Sequence, residues 1–127
     1  MIIKDQFTNR VAQLGQYLGL RAKGEPILPP VTHLYSYETP ATGATPAAGS
    51  IVHADNVINK LAVSHLDLEG NDIGATIGQI TTGDHVMIGS TVYDVVAPTV
   101  ADTGFSYITI SPEVQKQPGV YPVKAWR

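Results

Sequence analysis

The sequence predicts a mainly β fold: a small antiparallel β-sandwich or open barrel built on a meander, preceded by an N-terminal amphipathic helix and a proline-rich arm. Three observations carry that reading. Short apolar runs alternate with turn-forming residues from Gly83 to Ser111, which reads as strand–turn–strand–turn–strand. The 12 glycines and 9 prolines fall mostly between apolar runs, so the chain turns too often for long helices. Sustained helical periodicity is confined to the N-terminal region, ahead of Gly24.

In that region Phe7, Val11, Leu14 and Leu18 recur at spacings of 4, 3 and 4, one stripe of a helix over residues 6–23. Asp5 or Thr8 suits its start, and Gly24 followed by Pro26 ends it. Gly15 and Gly19 each cost about 1 kcal/mol relative to alanine inside a helix. Such a pair makes sense where another backbone comes close. The pattern is too short for a coiled coil that stands alone, so the stripe needs a surface. That surface is its own domain, copies of itself, or a socket protein, which makes Phe7, Val11, Leu14 and Leu18 candidate oligomerisation or docking residues.

The chain divides into a helix at 1–24, a proline-rich arm at 25–50 and a β-domain at 51–127. In the arm, Pro26, Pro29, Pro30, Pro40 and Pro46 favour extended backbone. Val31 to Tyr37 alternates as one short strand, and residues 41–50 read as a low-complexity exposed loop. A loop that long is uncommon in a compact domain unless it contacts something. Beyond it, Lys60 to Leu66 alternates as a strand, Asp67 to Asp72 has turn chemistry, and Ile73, Ile77 and Ile80 suggest short helical turns. Strands follow at His85–Ile88, Val92–Ala97 and Phe105–Ile110, separated by Gly89-Ser90-Thr91 and Asp102-Thr103-Gly104. The tail from Pro118 to Arg127 is rich in aromatics. It docks as an edge strand if ordered, and Trp126 is a candidate partner anchor if free.

At 127 residues the chain holds one domain plus an appendage. An apolar fraction of 43% with 15% charged residues is ordinary globular chemistry. Without cysteine there are no disulfides and no thiolate metal ligands. The start lacks the apolar run of a signal peptide, and no stretch approaches the ~20 apolar residues that span a bilayer. The expected setting is the cytosol or a particle assembled there, with no membrane partner. Charge is uneven: Lys4, Arg10, Arg21 and Lys23 face only Asp5 before Gly24, while Lys60 is the sole cation between Ile51 and Ile110. A body that acidic repels phosphate, so nucleic acid is not an expected partner.

No motif points to catalysis, a metal or a cofactor. Asp67-Leu68-Glu69-Gly70-Asn71-Asp72 resembles a calcium loop, but its sixth and twelfth positions are Asp72 and Gly78, where glycine and glutamate are required. His33, His53, His65 and His85 show no ligand spacing. There is no Gly-x-Ser-x-Gly elbow and no phosphate-cradling loop. Gly83-Asp84 and Gly89 read as turn positions.

The run from Leu61 to Ile73, then Ile80 to Ile88 with Gly83-Asp84, Val92-Tyr93-Asp94-Val95-Val96 and Asp102 to Ile110 resembles a small β-domain found in fibre and other virion proteins of tailed bacteriophages. The likeness covers residues 60–111 and, more loosely, 6–23. It implies a non-enzymatic virion component assembled in the host cytoplasm, most simply a short tail or baseplate fibre. Such a fibre forms a homotrimer and docks on other virion proteins through its N-terminal segment, with a host receptor as a further partner. Rival expectations are a stopper-type head–tail connector, whose barrel pairs a Gly-Asp-x-apolar strand with an apolar-Tyr-x-Val strand, and a capsid decoration protein. A carbohydrate-binding module needs exposed aromatics among Tyr93, Phe105 and Tyr107.

Overall fold

A computed structural model of the chain describes residues 24–37, 45–55, 57–114 and 116–127, with 30 and 31 in backbone only. The expected helix over 6–23, with its stripe of Phe7, Val11, Leu14 and Leu18, lies outside the described residues, as does 38–44 of the arm. Among the described residues the elements are β1 (Pro26–Tyr37), β2 (Ser50–Ala54), β3 (Val57–Ser64), a helical turn α1 (Gly74–Ile77), β4 (His85–Ile88), β5 (Thr91–Val95), β6 (Val100–Ala101), β7 (Phe105–Ser111) and β8 (Gly119–Trp126).

The mainly β class and the antiparallel meander are as the sequence indicates. The strands run in the order β3-β2-β1-β8-β4-β5-β7-β6, and β3 also pairs with β7, so the sheet closes into a seven-stranded barrel. Closure follows from β7. One side takes β3, from Lys60↔Thr109 to Ser64↔Phe105. The other is shared along its length: β5 pairs at Ser111 and Ile110, and β6 at Tyr107 and Ser106. Closing a sheet satisfies the backbone groups that an open edge would leave to solvent or to another chain.

The arm contributes to this barrel. Residues 26–37 are one long strand, paired with β8 from Pro26↔Trp126 to Tyr37↔Gly119. Proline cannot donate to a ladder, yet Pro29 and Pro30 fall where the register shifts between Leu28 and His33, so little is lost there. β1 also meets β2 in a short parallel pairing, Leu34↔Ser50 and Tyr35↔Ile51. The tail differs from its expectation in one respect. β8 is paired on both sides, with β1 and with β4, and is an interior strand where an edge strand was expected. Its alternation of Tyr121, Val123 and Ala125 inward with Lys124 and Trp126 outward gives both neighbours a core face to match.

Inside, the lumen is filled by side chains, as a barrel this small requires. Leu28, Leu61, Ile88, Ile110 and Val63 are fully buried, with Tyr35 among them. Burying each such aliphatic side chain is worth about 1.5–3 kcal/mol. The helical spacing of Ile73, Ile77 and Ile80 has a clear use. α1 packs against both β1 and β7, strands that are not neighbours, so it lies across one mouth of the barrel. Ile77 and Ile80 are fully buried there. The β4–β5 hairpin turns at Gly89-Ser90, where Gly89 takes φ +62°, the conformation a II′ turn demands at its first position.

Candidate functional site

Among the described residues, chemistry-bearing side chains lie in three places: the lumen, the mouth beside β3, and the outer wall. In the lumen, the alternation His33-x-Tyr35-x-Tyr37 on β1 sends all three rings inward. The Nε2 of His33 donates to the Ser64 carbonyl (2.7 Å), and its Nδ1 lies 3.2 Å from the Thr32 hydroxyl. Tyr35 hydrogen-bonds His53 Nε2 on β2, and Tyr37 meets the His53 ring edge-on at 5.5 Å. The Nδ1 of His53 is buried and finds no hydrogen-bond partner among the described residues. Burial lowers the pKa of His53, and that of His33 against the opposing pull of the Ser64 bond and the Asp67 charge. Burial, with Tyr37, Tyr93 and Tyr121 nearby, pushes the Tyr35 phenol up, so it stays protonated. These are neutral, packed groups that sew β1 to β2 and β3.

At the mouth, His65 Nε2 lies 2.7 Å from the Ser106 hydroxyl, the spacing of a base and its nucleophile. A Cβ placed on Gly74 would lie 3.1 Å from His65 Nδ1 and 3.2 Å from Asp72 Oδ1, so serine, histidine and aspartate do gather here. Ser106 is only 1% exposed and faces the packed lumen, however, which leaves a substrate carbonyl no line of approach. Asp72 Oδ1 accepts the Gly74 N–H at 2.9 Å. Asp67 Oδ1 likewise accepts from the Glu69 and Asn71 N–H groups, both at 2.9 Å, so the calcium-like loop is an Asx-type turn.

The outer wall around β8 carries the remaining feature. Trp126 projects outward, its ring 5.6 Å from that of His85 on β4, with the Lys124 ammonium 5.7 Å from its centroid. Beside it lies a groove of about 360 Å³ lined by Gly24, Pro26, Leu28, Lys124, Ala125 and Trp126. Across Lys124 a second recess of about 160 Å³ is lined by Met87, Gly89, Pro122 and Val123. The two run along one strand, apolar at the base and cationic at the rim. His85 Nδ1 also pairs with Asp94 at 3.0 Å on this wall. Beneath the strand end, Arg127 Nε reaches Asp84 at 3.2 Å, where the carboxylate is 2% exposed and also accepts the Thr81 N–H.

Of the residues singled out from sequence, Trp126 is therefore on the outer wall, and the four-residue stripe lies outside the described residues. Tyr93 is buried, whereas Phe105 and Tyr107 are half-buried and meet edge-to-face at 5.2 Å. The Lys60 ammonium lies over the Tyr107 ring, 4.5 Å from its centroid, so that face is covered where a sugar ring would stack. The lumen histidines and the Asp84–Arg127 pair were not anticipated. The i, i+2 spacing of His33, Tyr35 and Tyr37 was the signal for the first, and nothing in the sequence joins Asp84 to Arg127. Neither a protein-family model, nor a curated protein, nor a solved structure matches the chain.

Proposed function

We propose that this chain is a non-enzymatic structural component of a tailed-phage virion, held in place by contacts of its outer wall and N-terminal segment with other virion proteins. The observation that carries this reading is the contrast between lumen and wall. The lumen is packed with aliphatic and aromatic side chains, while the wall offers a groove with an aromatic anchor and a cation. Aromatic anchors set in apolar pockets are what protein interfaces are built around. The resemblance of residues 60–111 supplies the virion setting.

Two placements within a virion follow. The short tail or baseplate fibre would trimerise through Phe7, Val11, Leu14 and Leu18. A specific observation favours the second, a head–tail connector of the stopper type. The Gly83-Asp84 strand pairs with the Val92-Tyr93 strand, Val86 opposite Tyr93, inside a closed barrel. Because the barrel strands pair internally, association falls to side chains rather than to strand exchange. Purified virions of the encoding phage, labelled with antibody to this chain, are expected to show it at the neck. The isolated protein is expected to be a monomer by light scattering. Labelling at the tail tip with a trimer in solution would establish the fibre instead, and absence from virions would overturn both placements.

A further inference from the structure

We propose that the outer face of β8, β4 and β5 binds the same face of a second copy of this chain, with Lys124 of each copy paired to Asp94 of the other. The ladder registers set six outward residues in two rows. Trp126, His85 and Asp94 form one row, and Lys124, Met87 and Val92 the other. Lys124 and Asp94 thus occupy opposite corners. A twofold axis through the centre of the array, between His85 and Met87, exchanges those corners when two such faces are laid together. The charge pair therefore forms twice.

Both charges are open to a partner. The Lys124 ammonium lies 5.7 Å from the Trp126 ring centroid and meets no carboxylate among the described residues. Asp94 turns Oδ1 toward His85 at 3.0 Å, and its side chain is 68% exposed. Its Oδ2 accepts no hydrogen bond among the described residues.

The apolar parts agree with the same placement. Outward along β5 stand Val92, Asp94 and Val96, the two valines 48% and 46% exposed. Alternate residues of a strand stand ~6.8 Å apart and neighbouring strands ~4.8 Å apart. With Asp94 of the copy opposite Lys124, the copy's β5 crosses β8 and its valines fall on either side. Val92 reaches Met87 at the recess between β8 and β4, and Val96 reaches Pro26 and Leu28 at the groove between β8 and β1. The same axis brings the two Trp126 rings together.

Electrostatics single out this wall. Residues 24–127 hold 10 Asp and Glu against 4 Lys and Arg, net −6, so most faces of two copies repel. Three of those four cations, Lys116, Lys124 and Arg127, lie on or beside this wall, with Lys116 Nζ 2.6 Å from the Thr91 hydroxyl at its edge. The face presents far fewer than the roughly 20–30 residues a side of a stable interface, so dilute protein stays monomeric and the contact fills where copies are crowded.

Sedimentation equilibrium of the full chain, from micromolar to millimolar protein, is expected to show monomer passing to dimer and no further. Added salt is expected to weaken the association. Lys124→Glu and Asp94→Lys should each weaken it about tenfold or more, because each reverses two pairs. The double variant should return to within about threefold of the native chain, with far-UV circular dichroism confirming the fold throughout. Lys60→Glu, on β3 away from this wall, is expected to change nothing. The native chain has no cysteine, so a mixture of Lys124→Cys and Asp94→Cys proteins tests the pairing without reversing a charge. Oxidation is expected to give mostly the mixed disulfide dimer. A monomer at every concentration, a trimer, or a dimer indifferent to the charge reversals would overturn the proposal. So would a folded double variant that does not recover, or cysteine mixtures that cross-link no better than either protein alone. Purified protein gives these answers whatever particle it comes from, so this contact and the virion assignment fail separately.

Discussion

Replacing Arg127 with alanine leaves the Asp84 carboxylate, 2% exposed, without the guanidinium 3.2 Å away. Stripping one partner from a fully buried pair costs about 3–5 kcal/mol, and from an exposed pair about 0.2–1 kcal/mol. This pair lies between the limits. The Arg127 side chain is 31% exposed, so water screens part of the interaction, and Asp84 Oδ2 keeps its bond from the Thr81 N–H at 2.9 Å. A loss of about 2 kcal/mol is expected for Arg127→Ala, a midpoint shift of roughly 1 M in urea for a chain of this size. Alanine leaves the main-chain bond from Arg127 N–H to the Glu25 carbonyl in place, which confines the change to the side chain. The diagnostic step is to add Asp84→Asn. Its carboxamide oxygen still accepts from Thr81, and no buried charge is stranded, so the double variant is expected to be more stable than Arg127→Ala alone. Urea unfolding followed by far-UV circular dichroism measures both. An Arg127→Ala cost under about 0.5 kcal/mol, or a double variant less stable than the single one, would refute the account of a buried charge held by its partner.

Two further outcomes are expected. Stability should fall as pH drops below about 6.5, because unfolding lets His33 and His53 bind protons that burial denies them in the barrel. The sign follows from the lowered folded pKa values: the contribution is fully present above the unfolded pKa and lost below it. Each histidine adds at most about 1.4 kcal/mol per pH unit in that window. Urea midpoints at pH 7.5, 6.0 and 5.0 test it, and a flat profile would contradict it. Gly49→Ala should cost roughly 2–4 kcal/mol in the same assay, since it combines left-handed strain with a backbone clash. The residue takes φ +73°, and a Cβ would lie 2.8 Å from the Leu68 Cα and 2.5 Å from its Cδ2. Adding Leu68→Ala should recover only part of the loss, because the Cα remains.

Much of the barrel was legible because its signals are local. Alternation at Phe105–Ser111 and His85–Ile88, and the glycines between apolar runs, depend on residues a few positions apart. The 3–4 spacing of Ile73, Ile77 and Ile80 likewise gave a helical turn. Which edges meet is a different kind of fact. The β3–β7 pairing that closes the barrel joins Ser64 to Phe105 across some forty residues, and no local pattern encodes it. The two-sided pairing of β8 was hidden for the same reason. Pro29 and Pro30 misdirected the reading of the arm, since a proline's missing N–H forbids a ladder bond but not a bulge within a strand. At the site, Trp126 was legible as an aromatic anchor, while the groove beside it was not. That groove is assembled from Gly24, Pro26 and Leu28 on one side and Lys124 and Trp126 on the other, residues about a hundred positions apart.

Closure also changes where this chain can adhere. An open meander would offer the free edges of its outer strands, and a partner could add a strand with little regard for side chains. Among the described residues, the seven barrel strands are paired on both sides, and only the two-residue β6 stands outside that ring. Recognition then rests on outward side chains, which are specific where a bare edge is permissive. The outward residues around β8 bring together a tryptophan, a lysine and an apolar floor, next to the point where a basic segment joins the acidic barrel. A wall of that kind selects a partner that fits its apolar floor and sets an acidic group opposite Lys124.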